Sequence, residues 1–199
     1  MSNSNDVLEF GKCYHIYNKA NGKERLFITK KDYYYFLKKM QRFLLPFVDI
    51  FAYCLIPNHF HLLVSIKNID EVEDTIKNKI ESDSFSLSKV FSNFFNSYTR
   101  SFNNTHNRKG KLFLTPFKKR LIADDNYLSY LICYINRNPI HHGLVDNYQD
   151  WDYSSYNVII SEKPTYLARN RVIAMFGSKK EFMTFHQLNK TKRGLYEFD

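Results

Sequence analysis

The sequence predicts an α+β fold in which helices pack on an antiparallel sheet. Segments with strand-like alternation and segments with helical periodicity follow one another in the order β-α-β-β-α-β, and a further helix comes after them. With 199 residues, 44% of them hydrophobic, the chain is long and apolar enough to bury a substantial core. The order matches the ferredoxin-like, split β-α-β layout, with helices on one face of the sheet and a helical C-terminal extension.

The first half of this layout lies within the first third of the chain. Residues 12–20 (KCYHIYNKA) alternate and are rich in aromatic and β-branched side chains, which predicts a strand. Residues 30–45 place apolar side chains at helical spacing, and Pro46 ends that helix. Residues 48–56 and 59–67 are two further predicted strands, which we expect to form a hairpin.

The second half begins after a polar loop. Residues 84–106 form an amphipathic pattern with helical spacing, which predicts a second helix. Residues 108–123 are typical of a strand or ribbon with many basic side chains. Asp124 is a favourable cap for a third helix, over residues 125–138, which we expect to stop near Pro139.

Charge and cysteine content limit the classes of function. A net charge of +9 and a pI near 9.3 favour a polyanionic partner, either nucleic acid or an acidic membrane surface. No apolar run approaches the length of a membrane-spanning helix, and the first ten residues lack the order of a secretory signal. The three cysteines are widely spaced, which indicates neither a disulfide framework nor a cysteine zinc site. We therefore expect a cytoplasmic protein.

Two histidines, His59 and His61, stand one residue apart at the start of a predicted strand. Side chains at i and i+2 of a strand share one face, so the two imidazoles project together while Phe60 points into the helix-covered core. Such a pair can hold a divalent cation and leave positions open for a phosphate oxygen. The alternative is a pair of satisfied or solvent-facing histidines, and the spacing alone does not decide between them.

The third predicted helix offers two residues that would complete such a site. Tyr134 and Asn138 are one helical turn apart, so they lie on the same side of the helix. The Asn138 carboxamide would be a third metal ligand, and Tyr134 beside it would be a nucleophile for covalent catalysis. The alternative is that Tyr134, like Tyr127 and Tyr130, is one of fifteen tyrosines that serve packing.

Basic residues before this helix and after the first strand form a candidate DNA-binding set. Its members are Lys19, Lys23, Arg25, Arg108, Lys109, Lys111, Lys118, Lys119 and Arg120. Interleaved Tyr98, Phe113 and Phe117 would stack on unpaired bases, as in single-strand binders. The alternative is a solvated basic face with no partner.

Several of these segments resemble known motifs. PNHFHLL, at residues 57–63, is similar to the histidine-hydrophobic-histidine motif of the HUH endonuclease superfamily. Four segments are similar, in the same order, to the single-tyrosine transposases of that superfamily: residues 14–27, 51–64, 109–122 and 127–145. Because several ordered motifs agree, this resemblance is more specific than the histidine pair alone.

Within that superfamily the chain most resembles the REP-associated tyrosine transposases. The segments that carry this likeness are YINRNP at 134–139, GLV at 143–145 and WDYSSY at 151–156. The likeness spans roughly residues 12–156, so we expect residues 1–156 to be the catalytic domain. Residues 157–199 would then be an extension that packs on the core, not a separate domain.

The resemblance implies a metal-dependent enzyme that cuts and rejoins single-stranded DNA, often at hairpins. Tyr134 would attack the scissile phosphate and form a 5′-phosphotyrosine link, which releases a 3′-hydroxyl. His59, His61 and Asn138 would hold Mg²⁺ or Mn²⁺. A monomer is favoured, with a dimer that swaps the tyrosine helix as the alternative. The other functions left open are a domesticated, non-catalytic hairpin-binding protein and another activity of the HUH superfamily.

Three further histidines receive different expectations. His15, on the first predicted strand, is assigned a structural or DNA-facing role. His141 and His142 follow the helix and are expected to contact phosphate or lie at the surface, not to bind a metal.

Overall fold

The computed structural model describes residues 7–80 and 85–189 of the chain. Within them a four-stranded antiparallel sheet has the order β2-β3-β1-β4. The strands are β1 (Cys13–Lys19), β2 (Val48–Ile56), β3 (His59–Ile66) and β4 (Lys118–Ile122). Strand order and direction are those of the split β-α-β layout, so the predicted α+β fold class is confirmed.

Helices account for most of the remaining described residues. They are α1 (Lys30–Leu44), α2 (Asp74–Ile80), α3 (Leu87–Thr105), α4 (Asp125–His141), α5 (Tyr156–Ile160), α6 (Arg169–Phe176) and α7 (Lys179–Leu188). Residue 84, where the sequence predicts the second long helix to start, lies outside the described residues. Among the described helices, none has the length and apolar character needed to cross a membrane.

The two faces of the sheet are covered by different helices. Phe60 of β3 packs against Phe36 of α1 and Phe95 of α3, with ring centroids 5.2 and 5.4 Å apart. These two helices lie on one face, as predicted. The opposite face, which was predicted to stay open, is covered by α4 against β2 and β3. The two histidines of β3 are therefore enclosed between sheet and helix.

Two elements have bounds that differ slightly from the predicted ones. The helix α4 runs through Pro139 and ends at His141, and the turn after it contains Gly143, whose φ of 63° suits glycine. Pro139 has no N–H to donate to the Ile135 carbonyl, so the last turns of α4 lack one backbone hydrogen bond. Only Lys118–Ile122 of the predicted ribbon forms a regular strand, and the segment before it meets the end of β1 through an isolated bridge between Phe113 and Ala20.

The C-terminal helices are attached to α4 by a buried hydrogen-bond network. Asn136 Nδ2 donates to His186 Nε2 (3.1 Å), and Asn136 Oδ1 accepts from Ser155 Oγ (2.7 Å). His186 Nδ1 donates to the Phe182 carbonyl (2.8 Å), so the ring is neutral and both nitrogens have partners. The network fixes one side of α4, while the domain division at residue 156 stays a prediction.

This network predicts a loss of stability in mild acid. Burial lowers the pKa of His186 from 6.5 to about 4. Between these values the unfolded chain takes up a proton that the folded chain does not. Stability is therefore full above pH 6.5 and falls by about 3 kcal/mol as the pH drops toward 4.

Urea unfolding at a series of pH values measures this effect. His186→Gln keeps an acceptor for Asn136 but cannot titrate, so it should lose most of the slope between pH 6.5 and pH 4. An unchanged slope in His186→Gln would contradict the assignment.

Candidate active site

The predicted metal ligands meet at one point between β3 and α4. His59 Nε2 lies 3.1 Å from Asn138 Oδ1, and Asn138 Nδ2 lies 3.4 Å from His61 Nε2. All three side chains are buried, with relative exposures of 7%, 1% and 0% for His59, His61 and Asn138. The fold thus brings together groups that are 77 and 79 residues apart in sequence.

The outer nitrogen of each imidazole also has a partner, which fixes the orientation of the ring. His59 Nδ1 lies 3.0 Å from Asn58 Oδ1, and His61 Nδ1 lies 2.9 Å from His15 Nε2. When Nδ1 of each ring donates to these acceptors, Nε2 keeps a lone pair that faces Asn138. This is the orientation that a metal-binding histidine needs.

The donor set fits a divalent cation. Two imidazole nitrogens and one carboxamide oxygen are ligands that such ions accept, and three protein ligands leave positions for water or a phosphate oxygen. No group of three His, Cys, Asp or Glu side chains in the described part of the chain is arranged to hold a metal. A metal site here would therefore need the amide of Asn138 as its third donor.

Tyr134 lies against this cluster. Its ring is 5.8 Å from that of His61, nearly perpendicular to it, and 5.4 Å from that of His141. The other tyrosines of the predicted stripe have different neighbours: Tyr130 packs on Phe185 of α7, at 5.1 Å. The structure therefore places Tyr134, and not Tyr130, beside the histidine cluster, a distinction that the spacing of the tyrosines alone did not make.

Three residues near the cluster were not assigned to the site by sequence reasoning. His15 is completely buried and stacks on Tyr17, which itself lies opposite His61 in the register of β1 and β3. His142 lies 4.5 Å from His59, ring to ring. The sequence placed His142 four residues after Asn138. That spacing predicts that the two side chains share one side of the helix only if the helix continues past Pro139.

A cavity of about 160 Å³ opens beside the histidine pair. Tyr17, Lys118 and His142 are among the residues that line it. Lys118 holds its ammonium 5.6 Å above the Tyr17 ring. A positive charge, an aromatic surface and imidazoles thus face one small space, which suits a phosphate and its adjoining base.

Strand alternation divides the basic residues of β4 between the two faces of the sheet. Lys118 and Arg120 lie on the side of the histidine cluster, and Arg120 covers the Tyr127 ring at 5.9 Å. Lys119 lies on the other side, 5.6 Å above Phe117. The other members of the predicted DNA-binding set, apart from Arg108, are exposed: Lys19, Lys23, Arg25, Lys109 and Lys111.

Arg108 has a different environment from the rest of the predicted DNA-binding set. Its guanidinium donates to Asn103 Oδ1 (2.9 Å), to Glu24 Oε1 (3.0 Å) and to the Lys111 carbonyl (2.7 Å). These partners tie the ribbon to α3 and to the loop after β1. We therefore assign Arg108 to the fold of the ribbon and not to the DNA surface.

Two of the three predicted stacking aromatics belong to the core. Tyr98 is 1% exposed and donates its hydroxyl to the Leu26 carbonyl, and Phe113 is 5% exposed. Neither ring has a face available to a base. Phe117 is half-buried and keeps part of its ring at the surface.

Comparisons with known proteins agree with the motifs. No protein-family profile matches the chain. A Haemophilus influenzae protein with the provisional name REP-associated tyrosine transposase is 32% identical over 114 residues, which are 56% of this chain and 60% of that protein. The chain resembles the REP-associated tyrosine transposases. The resemblance predicted from the sequence motifs is thereby confirmed.

A solved structure also shares the fold of this chain. A solved structure of a REP-associated tyrosine transposase bound to a REP hairpin superposes with a TM-score of 0.58. The match covers 82% of this chain and 89% of that one, at 18% identity. The chain therefore shares the fold of that transposase, and it spans about 60% of the length of the Haemophilus relative.

Proposed function

We propose that this protein cleaves and rejoins single-stranded DNA at hairpins, as a transposase does, with Tyr134 as the nucleophile. The observation that carries this proposal is the position of Tyr134 against the cluster of His59, His61 and Asn138. A related chain named as a REP-associated tyrosine transposase supports the reaction class. A structure of the same fold, bound to a REP hairpin, supports the substrate.

The reaction is a transesterification and needs no energy source. The phenol oxygen of Tyr134 forms a bond to phosphorus while the bond from phosphorus to the 3′ oxygen breaks. The phenol proton is given up, and the leaving oxygen takes up a proton to become a 3′-hydroxyl. The reverse attack by a 3′-hydroxyl restores a phosphodiester and frees the tyrosine.

His59, His61 and Asn138 are proposed to hold Mg²⁺ or Mn²⁺. Such an ion, when bound, polarises a phosphate oxygen and offsets the charge that develops as phosphorus is attacked. The protein orients the two imidazoles through Asn58 and His15, and α4 covers one side of the cluster.

A covalent adduct tests this proposal. Full-length protein is incubated with Mn²⁺ and a pool of DNA stem-loops with single-stranded flanks, labelled at either the 5′ or the 3′ end. We expect the 3′ label to move with the protein on a denaturing gel and the 5′ label to leave on a shorter strand. Peptide mapping should place the adduct on Tyr134. Binding of the pool without any adduct would indicate a hairpin-binding protein that does not cleave.

His15 gives a separate prediction that concerns ion binding alone. His61 Nδ1 can donate to His15 Nε2 only if His15 offers a lone pair there, and this leaves His61 Nε2 available to a metal. His15→Phe removes that acceptor and should weaken Mn²⁺ binding by about 10- to 100-fold. His15→Gln, whose amide oxygen can accept, should recover part of it.

Electron paramagnetic resonance of free Mn²⁺ gives this affinity without any DNA. If wild-type protein binds no Mn²⁺, the metal assignment itself fails. If wild-type and His15→Phe protein bind Mn²⁺ equally, only the role of His15 is wrong.

A further inference from the structure

A groove of about 660 Å³ runs between α3 and the ribbon of residues 110–119, on the side of the sheet away from α4. Four polar side chains of α3 form one wall: Ser88, Ser92, Asn96 and Thr99. The ribbon forms the other wall and contributes Lys111 and Lys119. Phe95 and Phe117 line the groove between these walls.

The groove continues into the candidate active site. Asn18, Leu114 and Pro116 line both this groove and the cavity beside the histidine pair. Asn18 Nδ2 donates to the Leu114 carbonyl (2.8 Å), which holds the ribbon against the end of β1 at this junction. A nucleic-acid strand that passes from the histidine pair over Pro116 therefore enters the groove.

Both walls come from a part of the sequence with an unusual charge. Residues 85–123 contain eight lysines and arginines and no aspartate or glutamate, although the whole chain has 20 acidic residues. Neither wall therefore has a carboxylate that would repel a phosphate. The positive charge of Lys111 and Lys119 on the ribbon wall is therefore not opposed by a carboxylate of either wall.

The lining also distinguishes a single strand from a duplex. A duplex presents its phosphates outward and keeps its bases stacked inside, so its bases cannot contact the apolar surface of a groove. An unpaired strand exposes its bases, which bind apolar and aromatic surfaces, while lysines hold its phosphates. The side chains of Phe117 and Lys119, with the ammonium 5.6 Å above the ring, offer both kinds of contact.

We propose that this groove binds the unpaired strand that flanks the cleaved phosphate of a hairpin substrate. The proposal rests on the proposed function for the identity of the substrate. It assigns a second binding surface to the protein, on the face of the sheet opposite the tyrosine helix. Polar groups of α3 would contact the strand from one side, and Lys111 and Lys119 would hold its phosphates from the other.

A charge placed in the groove tests the proposal. Asn96→Glu puts a carboxylate on the groove wall, and Asn93→Glu puts the same charge on an exposed position of α3 that does not line the groove. Affinity is measured with EDTA, so that neither metal nor cleavage contributes. The probes are one DNA stem-loop without flanks and the same stem-loop with an eight-nucleotide unpaired flank on its 5′ or its 3′ side.

We expect wild-type protein to bind at least one flanked stem-loop about tenfold more tightly than the stem-loop without flanks. Asn96→Glu should remove this difference and leave the affinity for the stem-loop without flanks unchanged. Asn93→Glu should keep it. Lys111→Gln, which adds no bulk, should reduce the difference and lower the salt dependence of flanked binding.

Three results would overturn the proposal: equal binding of flanked and unflanked stem-loops by wild-type protein, equal effects of the two glutamates, or an advantage of the flank that persists in Asn96→Glu. Thermal unfolding of each variant confirms that the fold is kept. Because no cleavage is measured, a catalytically inactive protein can still pass this test, and an active one can still fail it.

Discussion

Replacing Tyr134 with phenylalanine is expected to abolish the covalent protein–DNA adduct, with a fall of at least about 10³-fold in strand cleavage. The substitution removes only the hydroxyl. The ring keeps its buried position and its contacts with His61 and His141, so the fold and the affinity for DNA should change little. The measurement is the rate of adduct formation with a 3′-labelled stem-loop in Mn²⁺.

Tyr130→Phe is the matched control for this change. The residue lies one turn earlier on the same helix, is 42% exposed and packs on Phe185 and not on the histidine cluster. The same loss of a hydroxyl there should leave the rate unaltered. If the adduct still forms with Tyr134→Phe, Tyr134 is not the nucleophile. Tyr127, whose ring lies beneath Arg120, would then be the next residue to test.

The parts of the site that the sequence predicted depend on local periodicity. Alternation along β3 places His59 and His61 on one face, and a spacing of four along α4 places Tyr134 beside Asn138. Neither rule requires knowledge of the sheet. The need for a third ligand suggested that the two pairs meet, and the resemblance to transposases implied the same; in the structure the pairs lie within hydrogen-bond and ring contact.

The parts that were missed depend on long-range pairing. Tyr17 reaches the site because β1 pairs with β3 in a register that sets Tyr17 opposite His61, and no local pattern fixes that register. His15 reaches His61 for the same reason. Phe113 was assigned to the surface because composition cannot tell an aromatic residue that faces a helix from one that faces solvent.

Removing either histidine of the pair should be nearly as damaging as removing the nucleophile. His59→Ala and His61→Ala are each expected to lower cleavage by about 10³-fold or more, because two remaining donors hold a cation weakly. Affinity for a hairpin in EDTA should fall less than about threefold, since phosphate contacts from the basic residues carry binding.

The two single variants should differ in stability but not in activity. His61→Ala removes the partner of the buried His15 Nε2, which should cost about 1–3 kcal/mol in the free energy of unfolding. His59 faces amide oxygens of the exposed Asn58 and of Asn138, and a neutral ring donates to only one of them, so His59→Ala should cost less. If His61→Ala cleaves more slowly than His59→Ala, in proportion to its lower stability, the histidines only support the fold. If both cleave equally slowly, the loss of a metal ligand explains the result.

The double variant decides whether the pair acts as a unit. If both imidazoles hold one ion, cleavage by His59→Ala/His61→Ala should be no slower than by either single variant, because the first substitution already removes the function. His142→Ala is the control within the same cavity: its ring lies 4.5 Å from His59 but is not a proposed ligand, so it should lower cleavage by less than about tenfold. Multiplicative losses in the double variant would mean that the two histidines contribute independently, and a shared metal ion would then be the wrong account of this site.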